Sequence, residues 1–341
     1  MTGKRLGRQT VVLRSCPSVA SYASVVGRLE GDGPLRNSFD EVCPDPFFGR
    51  STWEQGESAM QQRALRWALD KGGFQAEELD YVLAGDLLNQ CIGSTFSLRD
   101  FAVPFYGLYG ACSTMGESLS LAALLIDGGF ARLAAAMTSS HFCTAERQYR
   151  MPVPYGNQRS PTAQWTATAA GCCILSAQGT GPYVTHVTCG RIVDLGIRDV
   201  NNMGAAMAPA AYDTLSALFR ETATGPADYD LIVTGDLGAL GHELVTELFR
   251  RDGVDMTKNY TDCGLLLYDR QGQDMHAGAS GCGCSAAVFN GYLLDGLRRG
   301  LWRRLLFAPT GALLSPVSSG QGESIPGICH ALVLSAGREE L

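Results

Sequence analysis

Two short apolar runs, 150 residues apart, set the pattern of this chain. Asp80-Tyr-Val-Leu-Ala-Gly-Asp86-Leu87 and Asp230-Leu-Ile-Val-Thr-Gly-Asp236-Leu237 each read as a buried strand ending in Gly-Asp. Each follows apolar residues at helical spacing (Ala64, Leu65 and Leu69; Leu215, Leu218 and Phe219) and a glycine-containing turn. A second match, at an offset of 172, pairs Cys112-Ser113 with Cys284-Ser285, Leu121 with Leu293, Leu125 with Leu297, Gly128 with Gly300, Arg132 with Arg304, Leu133 with Leu305 and Thr138 with Thr310. Both copies run from a small-residue turn through an apolar helix and a glycine stop into an apolar strand. A third match pairs Ile174-Leu-Ser-Ala177 with Val333-Leu-Ser-Ala336. Three blocks in one order predict a duplicated chain, with halves at residues 1–178 and 179–341. The helices opening at Cys112 and Cys284 are apolar around most of their circumference, as helices buried between two sheets must be. The expected fold is α/β: α-β-α-β-α layers built from two pseudo-symmetric mixed-sheet halves, whose twofold brings the two helix starts together.

Composition narrows the class. Of 341 residues 45% are hydrophobic and 18% charged, which excludes disorder and supplies a large core. The formal net charge of −7 argues against wrapping nucleic acid. The longest apolar stretch, Leu119 to Met137, is broken by Asp127, Gly128, Gly129 and Arg132 and is too interrupted to span a bilayer. Behind Lys4, Arg5 and Arg8 the apolar run is only Val11 to Leu13, too short for a signal peptide. The expectation is a soluble, cytoplasmic chain with reduced thiols. Twelve cysteines include no paired C-x-x-C; Cys282-x-Cys284 and Cys172-Cys173 lack a second ligand pair, so neither a metal nor a cofactor is expected.

Cys112 sits where a helix begins. Free backbone N–H groups and the positive end of the helix dipole there lower a thiol pKa, and would equally hold a carboxylate or an oxyanion. Residues 138–168 collect donors: Ser139, Ser140, His141, Arg147, Tyr149, Arg150, Tyr155, Arg159, Gln164 and Trp165. Three arginines stand there against one glutamate, and Pro152, Pro154, Gly156 and Pro161 mark the stretch as a long loop rather than a helix. Arg147 and Arg150 have a second reading, as salt bridges to a neighbouring subunit. A basic cluster around Trp302 (Arg298, Arg299, Arg303, Arg304) reads as a membrane-facing turn or as a solvated helix end.

A duplicated βα chain with a cysteine at the start of its first central helix resembles the thiolase fold over nearly its whole length. Three segments are more particular: Tyr109-Gly-Ala-Cys112-Ser-Thr-Met-Gly-Glu117-Ser, Tyr155-Gly-Asn-Gln-Arg159-Ser-Pro161-Thr-Ala-Gln164-Trp165-Thr, and Gly281-Cys-Gly-Cys284-Ser. They resemble the stage V sporulation protein AD family. That resemblance implies binding of dipicolinic acid (pyridine-2,6-dicarboxylate), alone or with calcium, for uptake into the developing spore. It also implies membrane-protein partners of the same sporulation stage, a homodimer, and a peripheral place at the inner forespore membrane. Ketoacyl synthase III relatives carry a His after the strand matching Leu231 to Thr234 and an Asn before the second central helix. Asp236 and Cys282 stand at those places here, and neither His242 nor His330 restores the set. The reading is a non-catalytic pocket with Cys112 at a vestigial nucleophile position. Its ligand-binding candidates are Cys112, Ser140, His141, Arg150, Arg159, Gln164, Asp236, Cys282 and Cys284. The alternative is a Cys112-dependent acyltransferase or ketoacyl synthase III-like condensing enzyme acting on coenzyme A or acyl-carrier-protein thioesters.

Overall fold

The structure is a computed structural model describing residues 4–150 and 159–339. The first set of elements is β1 (Ser18–Gly27), α1 (Trp53–Gly72), β2 (Tyr81–Gly85), α2 (Ile92–Leu98), β3 (Phe105–Leu108), α3 (Thr114–Asp127), β4 (Leu133–Ser140), α4 (Phe142–Arg150) and β5 (Ala169–Ser176). The second is β6 (Tyr183–Thr188), α5 (Met203–Thr222), β7 (Leu231–Thr234), α6 (Gly238–Arg251), β8 (Tyr260–Asp262), α7 (Cys282–Val288), a π-helical turn Phe289–Leu293, α8 (Leu294–Arg298), β9 (Arg304–Ala308) and β10 (Ala331–Ser335).

The sheet order is β3-β2-β4-β5-β1 followed by β6-β10-β9-β7-β8, so the second half repeats the first about the Ser18–Tyr183 pair that joins β1 to β6. Strand directions repeat too. β2 is parallel to β3 and β4, and β7 to β8 and β9, while β5 and β10 run antiparallel to their neighbours. β4 is buried along its whole length, its Leu-Ala-Ala-Ala-Met sequence fitting a strand covered on both faces.

Three large apolar clusters hold the layers together. Met60, Leu65 and Leu69 of α1 pack on the outer face of the first half-sheet. Leu215, Leu218 and Phe249 of α5 and α6 do the same on the second. Between the sheets lie Met115, Leu119 and Ile126 of α3 against Val288, Leu294 and Leu297 of α7 and α8. This is the α-β-α-β-α arrangement expected from the repeat.

The repeated aspartates explain part of it. Asp80 accepts hydrogen bonds from the Arg132 and Leu133 N–H groups at 2.6 and 3.1 Å. Asp230 accepts from Arg303 and Arg304 at 2.8 and 2.9 Å. Each carboxylate thus anchors the start of the neighbouring strand, and each makes Arg132 equivalent to Arg303, not to Arg304. The helix starts differ again. Ala111 (φ +51°) and Gly281 (φ +99°) hold the same left-handed position before the two central helices, so Cys112 corresponds to Cys282 rather than Cys284. The π turn at Phe289–Leu293 supplies the one residue by which helix and strand offsets differ. The uniform offset of 172 is therefore corrected.

Candidate functional site

Cys112 lies in the single 3-10 turn Ala111–Ser113 that leads into α3. Asp236, which follows β7, lies beside its thiol, as do the Gly281 N–H and Cys282. Asp236 is 1% exposed and accepts from the Gly281 N–H at 2.9 Å and the Thr310 hydroxyl at 3.0 Å. Burial pushes its carboxyl up to about 7. The Cys112 thiol is pushed well above its ordinary value by burial first, then by Asp236 and Cys282. This reverses the expectation of an activated thiol: one helix end does not outweigh desolvation and an adjacent carboxylate.

Cys112 lines a cavity of about 50 Å³ together with Leu87, Tyr149, Thr166, Ser280 and Leu314. That volume suits a water or two, not an aromatic ring. Tyr149 closes one wall: its hydroxyl donates to the Leu87 carbonyl at 2.5 Å and lies 2.9 Å from the Tyr109 hydroxyl. Among the described lining residues the charged side chain is Glu146; none is cationic.

Cys282, the twofold mate of Cys112, donates its thiol proton to the Ser139 carbonyl at 2.9 Å. Behind it lies a second buried acid pair that the sequence reading did not single out. Glu57 of α1 accepts from Ser139 Oγ at 3.1 Å and Thr144 Oγ1 at 2.6 Å. Asp86 accepts from the Leu88 and Ser94 N–H groups at 2.9 and 2.7 Å. Burial and then Asp86 push Glu57 up to about 8. Asp86 was visible as the repeat of Asp236; Glu57 had no signal, since a helix residue facing inward looks like any other glutamate.

Five of the other candidates, Ser140, His141, Gln164, Arg159 and Cys284, make contacts within the fold, and none of these five is among the residues lining the cavity. Ser140 donates to the Ala167 carbonyl at 2.7 Å and accepts from the Gly283 N–H at 3.1 Å. His141 Nδ1 accepts from the Cys143 N–H at 3.1 Å, so Nε2 carries the proton and donates to the Pro46 carbonyl at 2.8 Å; burial lowers its pKa and keeps the ring neutral. Gln164 Nε2 donates to the carbonyls of Asp236 and Ala279 at 2.6 and 2.8 Å, bracing the loop that carries Asp236, while its Oε1 is buried without a partner. Arg159 donates to the Asp274 carbonyl and carboxylate at 2.6 and 2.8 Å and lies over the Trp165 ring. Cys284 is buried in α7 with its sulfur 3.8 Å from the Gly235 carbonyl. The Arg150 side chain and Tyr155 lie outside the described residues.

Two wider expectations change. Phe142–Arg150 is a helix, because every Pro and Gly of the stretch falls after it. Arg147 pairs with Glu54 of its own chain at 2.8 Å, over the Trp53 ring. In the basic cluster, Arg298 donates to the Val19 and Ala20 carbonyls, Arg299 pairs with Asp295 at 3.2 Å and Arg304 with Glu339 at 3.5 Å, which favours the helix-end reading.

Comparison with known proteins places this geometry in a family. The profile of Stage V sporulation protein AD matches residues 7–335. Stage V sporulation protein AD of Bacillus subtilis (strain 168) is 41% identical over 330 residues, covering 97% of each chain. Among solved structures, 3-oxoacyl-[acyl-carrier-protein] synthase III from Aquifex aeolicus VF5 superposes with a TM-score of 0.60 at 12% identity, covering 94% of this chain and 99% of its own. Cerulenin-bound OleA of Xanthomonas campestris gives 0.62 at 13% identity, covering 95% and 98%. Those two likenesses carry the thiolase-like fold of condensing enzymes.

Proposed function

The chain belongs to the stage V sporulation protein AD family, and on that footing we propose that it binds dipicolinic acid beside Cys112 for uptake into the spore and catalyses no condensation. The observation that carries the non-catalytic half is the buried Asp236 carboxyl beside Cys112, which raises the thiol instead of activating it. A condensing cysteine needs a base that takes its proton and donors that stabilise an enolate. Here burial and the carboxylate beside it keep the proton on the thiol. Donors for a dicarboxylate come from the hydroxyls of Thr166 and Ser280, which line the cavity. A ring enters only if the Tyr149 wall moves, since the cavity is about 50 Å³. Calorimetric titration with dipicolinate tests the reading; saturable heat supports it, and its absence up to millimolar ligand removes it. A parallel titration with calcium reads whether the cation travels on the ligand's carboxylates.

A condensing enzyme remains the second reading, favoured by the fold of the structural neighbours and by a cysteine on a cavity wall. Acylated Cys112 in intact-mass spectra after exposure to acyl thioesters would establish it. We further propose that the protein reaches the forespore membrane through stage V membrane-protein partners and acts as a homodimer. Among the described residues no helix is long and apolar enough to cross a membrane.

A further inference from the structure

Asp236 has a setting that a binding protein for anions would not keep without use. It is buried, lies one thiol away from the cavity, and has one backbone N–H donor, from Gly281. Its neighbour Asp262 accepts from three N–H groups, those of Leu237, Gly238 and Gly264, at 2.9, 3.0 and 3.0 Å. Backbone donors stabilise the charged form, so of these two buried acids Asp236 is the one that protonates more readily. The titratable groups facing it come from every side: Cys112 before α3, Cys282 and Cys284 of α7, Asp262 at the end of β8 and Cys263 after it, and Cys329 before β10. These are thiols and an acid. The histidine of α6, His242, acts on Asp262 instead.

A carboxylate entering the cavity would meet Cys112 with a second, buried negative charge behind it. Two like charges at that separation cannot both stay ionised without a cation, and the described lining provides none. We propose that binding of a carboxylate ligand at the Cys112 cavity is coupled to uptake of one solvent proton by Asp236, relayed through the Cys112 thiol. The proposal rests on the dicarboxylate reading above. In the free protein the Cys112 S–H donates to the Asp236 carboxylate. In the complex Asp236 is the carboxylic acid, its O–H donates to the Cys112 sulfur, and the Cys112 S–H turns to the ligand carboxylate. The Cys112 S–H bond breaks as its proton passes to Asp236 and re-forms with a proton from solvent, so the net change is one O–H bond on Asp236. Its position near neutrality makes Asp236 responsive in the range where cells work.

The experiment is calorimetric titration of dipicolinate into the full chain at about pH 8, in phosphate and in Tris, whose ionisation enthalpies differ widely. The expected result is a heat that differs between the buffers by close to the enthalpy of one proton. Apparent Kd should weaken toward tenfold per pH unit above the midpoint of Asp236. D236N should bind with buffer-independent heat and a flat pH profile. C112S, which keeps a hydroxyl donor, should retain the linkage, and C112A should lose it. Buffer-independent heat in the wild type overturns the coupling and leaves the binding reading standing, as does linkage that survives in D236N. No saturable heat between about pH 6 and 8.5 removes both. The wild-type measurement needs no variant to fold.

Discussion

Glu57 sets the sign of a pH dependence that reaches the whole protein. Its carboxyl is fully buried and raised from its ordinary value to about 8, by burial and then by Asp86. An acid raised in the folded state binds a proton there that the unfolded chain releases between about pH 4.5 and 8. Stability from this group is therefore whole below the unfolded value and is lost as pH rises through the folded one. Asp86 and Asp236 are raised by burial as well and add in the same direction. Urea midpoints should fall from about pH 5 to pH 8, and E57Q should flatten that slope; a midpoint that rises over this range contradicts the assignment. Cys112 gives the second residue-scale prediction. The thiolate is the alkylating species, so iodoacetamide at pH 7.5 should modify exposed Cys189 well before Cys112, read by peptide mass mapping. D236N removes the adjacent charge and should speed Cys112 alkylation by about tenfold. An unchanged rate would mean that burial alone controls the thiol.

At the scale of elements, the repeat was legible because each half had to bury the same kind of helix against the same kind of strand. The Asp80 and Asp230 strands, the glycine helix stops and the late Leu-Ser-Ala strands all carry their signal in local composition. What the sequence hid was a single residue. Matching Cys112-Ser113 to Cys284-Ser285 looks natural by identity, yet Ala111 and Gly281 share the left-handed position, and a π turn absorbs the slip. An inserted residue inside an unbroken helix leaves no gap for a pattern to show. The donors of residues 138–168 show a related limit of pattern: Ser140, His141 and Gln164 donate to backbone carbonyls, and donor chemistry in a sequence does not say which donors are already taken. The paired positions also differ energetically. Gly281 has φ +99°, and an added Cβ would stand 2.6 Å from Ser140 Oγ, so G281A should cost about 2–3 kcal/mol by urea denaturation. A111G relieves a left-handed alanine at the price of chain entropy, and should stay within about 1 kcal/mol of wild type. Equal losses at the two sites would show that backbone strain is not what separates them.

For the molecule as a whole, the question is what lies beyond the two ends of the sheet. At one end, β8 keeps Tyr260 buried under α6, where His242 stacks on its ring at 4.4 Å. At the other, Tyr106 of β3 and Phe96 of α2 are each 53% exposed, and Tyr109 just after β3 is exposed too. The Phe-Tyr-Gly-Leu sequence of β3 has neither the Lys nor the Pro that edge strands use to refuse a partner. A second copy pairing antiparallel through β3 would continue the sheet. A four-residue strand cannot bury the roughly 1,200–2,000 Å² of a stable interface alone. In such a dimer the groove of about 380 Å³ between α1 and α2, lined by Ile92, Phe96 and Arg99, would have to provide the remaining contact. The expected particle is therefore a dimer in light scattering at micromolar concentration. Y106K places two like charges near the twofold and should halve the mass without altering far-UV circular dichroism. The consequence extends to the site: β3 runs on through Tyr109, which contacts Tyr149 on the cavity wall, into Ala111 and Cys112. A monomeric Y106K variant should thus also bind dipicolinate several-fold more weakly, because the wall that must open and reclose around the ligand has lost its support. A wild-type particle with the mass of one chain would remove the dimer and, with it, this link between the edge and the pocket.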